Sequence, residues 1–169
     1  RRVLLSSLSV AAVTAVKIKG ADHEFSTIPN VKEDVLDIIL NLKGLRMKLY
    51  AEEPIKLSLA VKGSRVVTGG DFKKDAQVEI ANPDHSIATI TEEKGSLEMD
   101  VWIGPGRGYQ STEERGKEKL ELGTIAIDAL YSPILNVSYK VEQTRVGEKT
   151  DFDKLLLRVE TDGTLDPLD

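Results

Sequence analysis

Cysteine is absent from the chain, which excludes disulfide scaffolds, thiolate metal sites, thiol nucleophiles and Cys-x-x-Cys redox chemistry. Histidine is scarce. His23 and His85 are the two imidazoles in 169 residues, and neither has a second histidine at metal-ligand spacing. Neither a Gly-Lys-Ser/Thr phosphate loop nor a Gly-x-Ser-x-Gly nucleophile elbow occurs. Positive charge is in deficit as well: 23 Lys and Arg face 28 Asp and Glu, a net charge of −5. The chain therefore lacks the broad basic field with which a protein grips phosphate backbones unaided. Long apolar runs are missing too. The longest uncharged stretch, Val3 to Val16, has fourteen residues and is interrupted by Ser6, Ser7, Ser9 and Thr14, too short and too polar to span a bilayer.

What is present is a globular composition, 40% hydrophobic and 30% charged, with thirteen glycines and six prolines. A chain of this length buries roughly 70% of its unfolded surface and needs no covalent staple. The first residues imitate a secretion signal: Arg1 and Arg2 as a basic start, Val3 to Leu8 as the apolar part, and Ala11, Ala12 and Ala15 as a cleavage region. The same residues also suit the last turns of a helix. At the other end Asp166-Pro167 has the form of a helix start, with Asp166 as N-cap and Pro167 in the first turn, so both ends are expected to be internal to a longer protein.

Periodicity orders the middle. A helix over Arg1 to Leu8 gives way near Ser9 to a strand over Val10 to Ile18. Asn30 followed by Glu33 has capping-box spacing, and Val31, Val35, Ile38, Ile39 and Leu42 then recur every three or four residues until Gly44, which predicts a helix. The period then becomes two: Leu45, Met47 and Leu49, followed by Ile55, Leu57, Leu59 and Val61 beyond Glu53-Pro54, predict a hairpin. Further strands are expected at Arg65 to Thr68, Gln77 to Ile80, Ile87 to Thr91, Leu97 to Ile103, Thr124 to Ala129, Ile134 to Glu142 and Lys154 to Thr161. Three glycines and a proline between Gly104 and Gly108 begin what reads as a long loop to Lys119. A helix, a β-rich middle and returning strands suggest an α+β protein with one domain interrupting another.

Chemistry-bearing clusters are few. His23 within Asp22-His23-Glu24-Phe25 and His85 after a turn suit structural hydrogen bonding better than catalysis. Asp151 and Asp153 flank Phe152 at a spacing used by some metal sites, but beside Lys149 and Lys154 they read as a solvated loop. Arg107 and Tyr109 in the glycine-rich stretch suit contact with a partner rather than phosphate binding, because the residues after them are polar all round and form no amphipathic helix. No catalytic residue and no metal site is assigned.

Six segments together carry a resemblance: Arg1 to Ser7, His23-Glu24-Phe25-Ser26-Thr27, Val31 to Leu45, Gly106-Arg107-Gly108-Tyr109, Leu130-Tyr131-Ser132-Pro133, and Thr144 to Leu155. In this order the chain resembles the amino-terminal domain of the bacterial RNA polymerase α subunit. The resemblance implies a dimerisation subdomain of helices on an antiparallel sheet (1–9 and 130–169), interrupted by a β-rich insert (10–129). It also implies a noncatalytic subunit of a nucleotidyltransferase, without a cofactor of its own. That subunit would homodimerise through terminal helices mostly missing here and gather the β and β′ subunits. It would touch neither nucleic acid nor membrane, and would work in the cytoplasm with the nucleoid or in a plastid. Arg2, Leu5 and Lys43 are implied as contacts to β. Asp128, Ala129, Leu130, Tyr131, Ser132 and Pro133 are implied near the β and β′ docking surfaces, with Arg107 and Tyr109 as a candidate partner loop. The chain departs from the family at Ser9-Val10, where Pro-Gly is usual, at Asn30, where Gly is usual, and at Pro105, where Arg is usual. A secreted β-rich binding module, with the first residues as leftover signal, is the alternative from a different class.

Overall fold

The computed structural model describes residues 2–115 and 121–167. Among these residues it is mostly β, with two α-helices, α1 (Arg2–Ser6) and α2 (Val35–Lys43), and fits an α+β class. The spine is the antiparallel pairing of β1 (Ser9–Ile18) with β7 (Ser96–Gln110), whose register runs from Ser9↔Arg107 to Ile18↔Met99. On its other edge β1 takes β2 (Met47–Leu49) at Ala11 and β8 (Ile125–Ala126) at Ala15 and Val16. The free edge of β7 is also shared: its first half pairs with β3 (Ile55–Lys62), its end with β9 (Ala129–Tyr131). The sheet closes with β5 (Val78–Ile80) on β2, while β4 (Arg65–Thr68) pairs with β6 (Ser86–Ile90) separately. Ala11, Ala12 and Ala15, the residues that imitate a cleavage region, are buried in this central strand.

Helix α2 starts later than the sequence suggests. Asn30 sits at φ 64, in the left-handed region that Asn tolerates better than most residues, and its carbonyl accepts from Thr91 N. Glu33 does not reach back to Asn30; its carboxylate accepts from Thr89 N at 2.6 Å and Thr89 Oγ1 at 2.9 Å. The cap is Asp34, which accepts from Asp37 N at 2.9 Å. The same three-residue spacing thus occurs twice in succession, and tertiary bonding of Glu33 decides between them. From there Val35, Ile38, Ile39 and Leu42 turn inward as expected, into one core in which α2 lies against β1 and β6.

Two further expectations are corrected. β2 and β3 do not form a hairpin, because β2 is taken up by β1 and β5, and β3 lies along β7. Alternation specifies that each is a half-buried strand and leaves the partner open. The stretch from Gly104 is not a loop until after Gln110: β7 continues through it, with Ala11 opposite Pro105. Glycine here serves close approach. A Cβ on Gly106 would lie 2.5 Å from the ring of Tyr131, which crosses the strand at that point. The rest of the expected loop includes residues 116–120, which lie outside the described residues. Thr124 to Ala129 forms two short strands, β8 and β9, rather than one. Ser9 and Val10, which replace the family's turn pair, carry no positive φ and enter β1 without strain.

Beyond β9 a long hairpin, β10 (Ile134–Val146) and β11 (Lys149–Thr161), forms its own two-stranded sheet turning at Gly147. Asp151 and Asp153 lie within β11, not in a loop, and among the described residues no group of His, Asp or Glu could hold a metal ion. Among those residues, too, no helix is long and apolar enough to cross a membrane. The expected helix start at Asp166-Pro167 runs into residues 168–169, outside the described residues.

The Gly106 and Tyr131 contact yields a test. Gly106→Ala forces a buried aromatic ring to move and is expected to cost about 1–3 kcal/mol, read as a lower urea midpoint with an unchanged slope.

Candidate docking face

The residues flagged in the sequence come from four separated stretches, and one carboxylate gathers three of them. Asp128, just before β9, accepts from Thr112 N through Oδ1 at 2.9 Å, and its Oδ2 lies 3.8 Å from Lys43 Nζ at the end of α2. The phenol of Tyr109, near the end of β7, interacts with the same group. The Thr112 N–H is the largest influence holding the Asp128 pKa below the usual carboxylate value; Tyr109 and Lys43 act in the same direction, and partial burial opposes them. Partial desolvation and the neighbouring Asp128 carboxylate push the Tyr109 phenol up.

A bulge in β1 supports this arrangement. The register slips between Val13 and Ala15, which frees the carbonyl of Thr14 from the ladder. That oxygen accepts from Ile127 N at 2.9 Å and from Arg115 Nη1 at 3.3 Å, while Arg115 Nη2 donates to Ile127 O. Arg115 and Ile127 are thereby tied to the central strand beside Asp128. Lys43 is fixed from the opposite side. His85 Nε2 donates to Asn41 O at 2.9 Å, Asn82 Nδ2 donates to Gly44 O at 3.0 Å, and Asn82 Oδ1 accepts from Arg46 N at 2.8 Å, so side chains satisfy the end of α2 and the turn after it. His85 is thus a structural cap. His23 is exposed, with Nδ1 3.2 Å from Ser26 Oγ.

The fourth stretch joins through β9. Ser132 Oγ donates to Leu5 O at 3.1 Å, linking α1 to the strand that carries Leu130 opposite Tyr109. Ser9 Oγ donates to Gly106 O at 3.0 Å beside it. Arg2, Arg107, Tyr109 and Leu130 are exposed; Leu5, Asp128 and Ser132 are half-buried; Ala129, Tyr131 and Pro133 are buried. Of the run 128–133, then, Asp128, Leu130 and Ser132 present side chains outward, whereas Ala129, Tyr131 and Pro133 hold the backbone in place.

Three supporting groups escape a reading of the sequence. Thr112 and Arg115 fall inside the expected loop, and Asn82 looks like turn punctuation. Their bonds are all to backbone atoms or carboxylates distant in sequence, which leaves no local pattern to detect. What the face offers chemically is recognition: a cation at Lys43, a phenol, a guanidinium at Arg107 and an exposed leucine, held at fixed spacing on strands and a helix end.

Residues 16–132 match the family described as RNA polymerase Rpb3/RpoA insert domain. Across all 169 residues the chain is 48% identical to the DNA-directed RNA polymerase subunit alpha of Roseiflexus sp. (strain RS-1), covering 52% of that relative. It is 52% identical over 167 residues to the subunit of the same name from Moorella thermoacetica (strain ATCC 39073 / JCM 9320), and 49% identical over 167 residues to that of Alkaliphilus oremlandii (strain OhILAs). These alignments cover 99% of the chain and 53% and 52% of the relatives. The chain spans about half the length of the curated relatives it matches.

Because the folded pKa of Asp128 is lowered, its contribution to stability is complete above the unfolded value, near 3.9, and is lost as pH falls through the lower folded value. Asp128→Asn removes that dependence. The thermal midpoint of the variant is expected to fall less than that of the parent between about pH 5 and pH 2.5, in a series of melts across that range.

Proposed function

Given that the chain belongs to the RNA polymerase Rpb3/RpoA insert domain family, we propose that it is the assembly part of a polymerase α subunit. In this role it holds the β and β′ subunits in place without carrying out the chemistry itself. One observation carries the reading: four stretches far apart in sequence, at Arg2 and Leu5, Lys43, Arg107 and Tyr109, and Asp128 to Pro133, meet through Asp128, β9 and the Ser132 to Leu5 bond. Arg2, Leu5 and Lys43 contact β; the 128–133 run lies at the β or β′ surface; Arg107 and Tyr109 border it. The chain supplies no catalytic residue and takes no cofactor. The place of work is the cytoplasm, in the polymerase complex.

The subdomain division follows the same reading, with 1–9 and 130–169 as the dimerisation part and 10–129 as the insert. Support comes from the β10 and β11 hairpin, which has a sheet of its own and a hydrogen bond at its root to α1. Its register puts Val137 with Val159, Tyr139 with Leu157, and Val141 with Leu155 on one face, where Tyr139, Val141, Leu155 and Leu157 are each more than half exposed at 62%, 54%, 62% and 52%. An apolar face of this size calls for a cover. In the complete subunit, further helices and the second copy supply it. The relatives favour this assembly role over the secreted binding module.

Arg2→Ala in the complete subunit is expected to weaken recruitment of β at least tenfold, because exposed arginines are over-represented among the residues that dominate interfaces. The fold and the α dimer should persist. Co-purification with β, alongside analytical ultracentrifugation of the α dimer, checks both, and normal recruitment by the variant would remove Arg2 from the interface.

A further inference from the structure

The two end strands of the main sheet, β3 and β5, are bridged by residues 69–76, and the two joins are unequal. At β3 the segment is held by the Leu59↔Phe72 bridge and by Lys73 N, which donates to Ser58 O at 3.0 Å. At β5 the contact is a tight turn, the Asp75↔Val78 bridge, with a long 3.4 Å bond from Val78 N to Asp75 O. Between the segment and β5 a cavity of about 370 Å³ stays open, within the size range of small-molecule sites. Its depth is apolar: Leu57 and Phe72 are buried members of the main core, and Val78 and Ile80 pack against that core while only half-buried. Gly70 and Ala76 add almost no side-chain volume to the lining. Lys73 and Lys74, which also line it, are exposed and form no ion pair among the described residues. The acidic groups nearby are engaged. Asp75 accepts from Gln77 N at 2.8 Å, and Glu79 accepts from the Tyr50 hydroxyl at 2.8 Å while standing opposite Lys48 in the β2 and β5 ladder. An apolar hollow is therefore edged by two ammonium groups without a counter-charge among the described residues.

We propose that this cavity binds a small amphipathic carboxylate, its apolar body seated on Leu57, Phe72, Val78 and Ile80 and its anionic end held by Lys73 and Lys74. Burial of the apolar body supplies the affinity. The two lysines choose an anion over a neutral molecule of the same shape and fix which end points outward. A peptide partner suits the place less well. β5 has three residues, too short an edge to template a further strand, and the opening leads inward to buried side chains rather than along the surface. Occupation braces residues 69–76 against β5, where the protein itself supplies one long hydrogen bond, so the ligand stabilises the folded subunit by mass action.

The test titrates the complete subunit with sodium octanoate, and with octanol as its uncharged counterpart, by isothermal titration calorimetry. The parent is expected to bind one octanoate per chain, more tightly than octanol, and to melt a few degrees higher when saturated. Lys73→Glu combined with Lys74→Glu should weaken octanoate about tenfold and leave octanol unchanged. Ala76→Trp is a second route that fills the opening instead of changing its charge; it should weaken both probes about tenfold. All three positions are exposed, so without ligand both variants should melt at the parental temperature. Octanoate binding at the parental affinity in both variants places the molecule elsewhere, for instance on the apolar face of the β10 and β11 hairpin, and overturns the proposal. Equal affinity for octanol and octanoate in the parent removes the anion recognition and overturns it as well, as does the absence of saturable binding.

Discussion

The pairing of β1 with β7 is the constraint on which the rest of the molecule depends. Residues 9–18 find residues 99–107 across about half of the chain's length, and every other strand of the main sheet pairs directly with one of these two except β5, which is added through β2. Loop-closure entropy opposes so distant a pairing until the whole ladder forms. Buried side chains on both strands offset that cost, among them Val13, Val16, Ile18, Met99, Val101 and Ile103. Once the ladder exists, its bulge at Thr14 dictates where Arg115 and Ile127 lie, and the far half of β7 dictates where β9 lies. The docking face is therefore a consequence of strand register. Its residues need no strong attraction for one another.

This agrees with the energetics of the face itself. Lys43 and Asp128 are both partly exposed and 3.8 Å apart, a separation at which a surface ion pair contributes little to stability. Asp128 is better satisfied by the Thr112 amide, which donates to it at 2.9 Å. Lys43 is thus held near the surface by the caps at the end of α2 and only loosely by its counter-charge, which leaves its ammonium group free to exchange one carboxylate for another.

The legible parts of the sequence were those whose signal is local. The core stripe of α2, the extent of β4 at Arg65–Thr68 and the start of β7 all follow from periodicity. The failures share a physical cause, which is that a partner distant in sequence overrode the local preference. Glu33 had a capping spacing but was recruited by Thr89; Met47 to Leu49 and Ile55 to Val61 alternated correctly but went to different neighbours. The glycines from 104 to 108 resembled a loop because close approach and turning demand the same residue. For the site, the residues implied by family resemblance were individually unremarkable charges and apolar groups. Their convergence through Asp128 and Ser132 was invisible in the sequence because backbone amides and carbonyls, which every residue has, make most of the bonds.

The crossing of Tyr131 over Gly106 also bears on how such sequences diverge. The two positions belong to different strands, and the ring occupies the volume that any side chain at 106 would need. A lineage that acquires a larger residue at 106 must shrink or redirect the residue at 131, and one that loses the aromatic ring gains freedom at 106. These two columns should therefore covary in a deep alignment, which makes them an internal ruler for judging whether a distant sequence threads this strand in the same register.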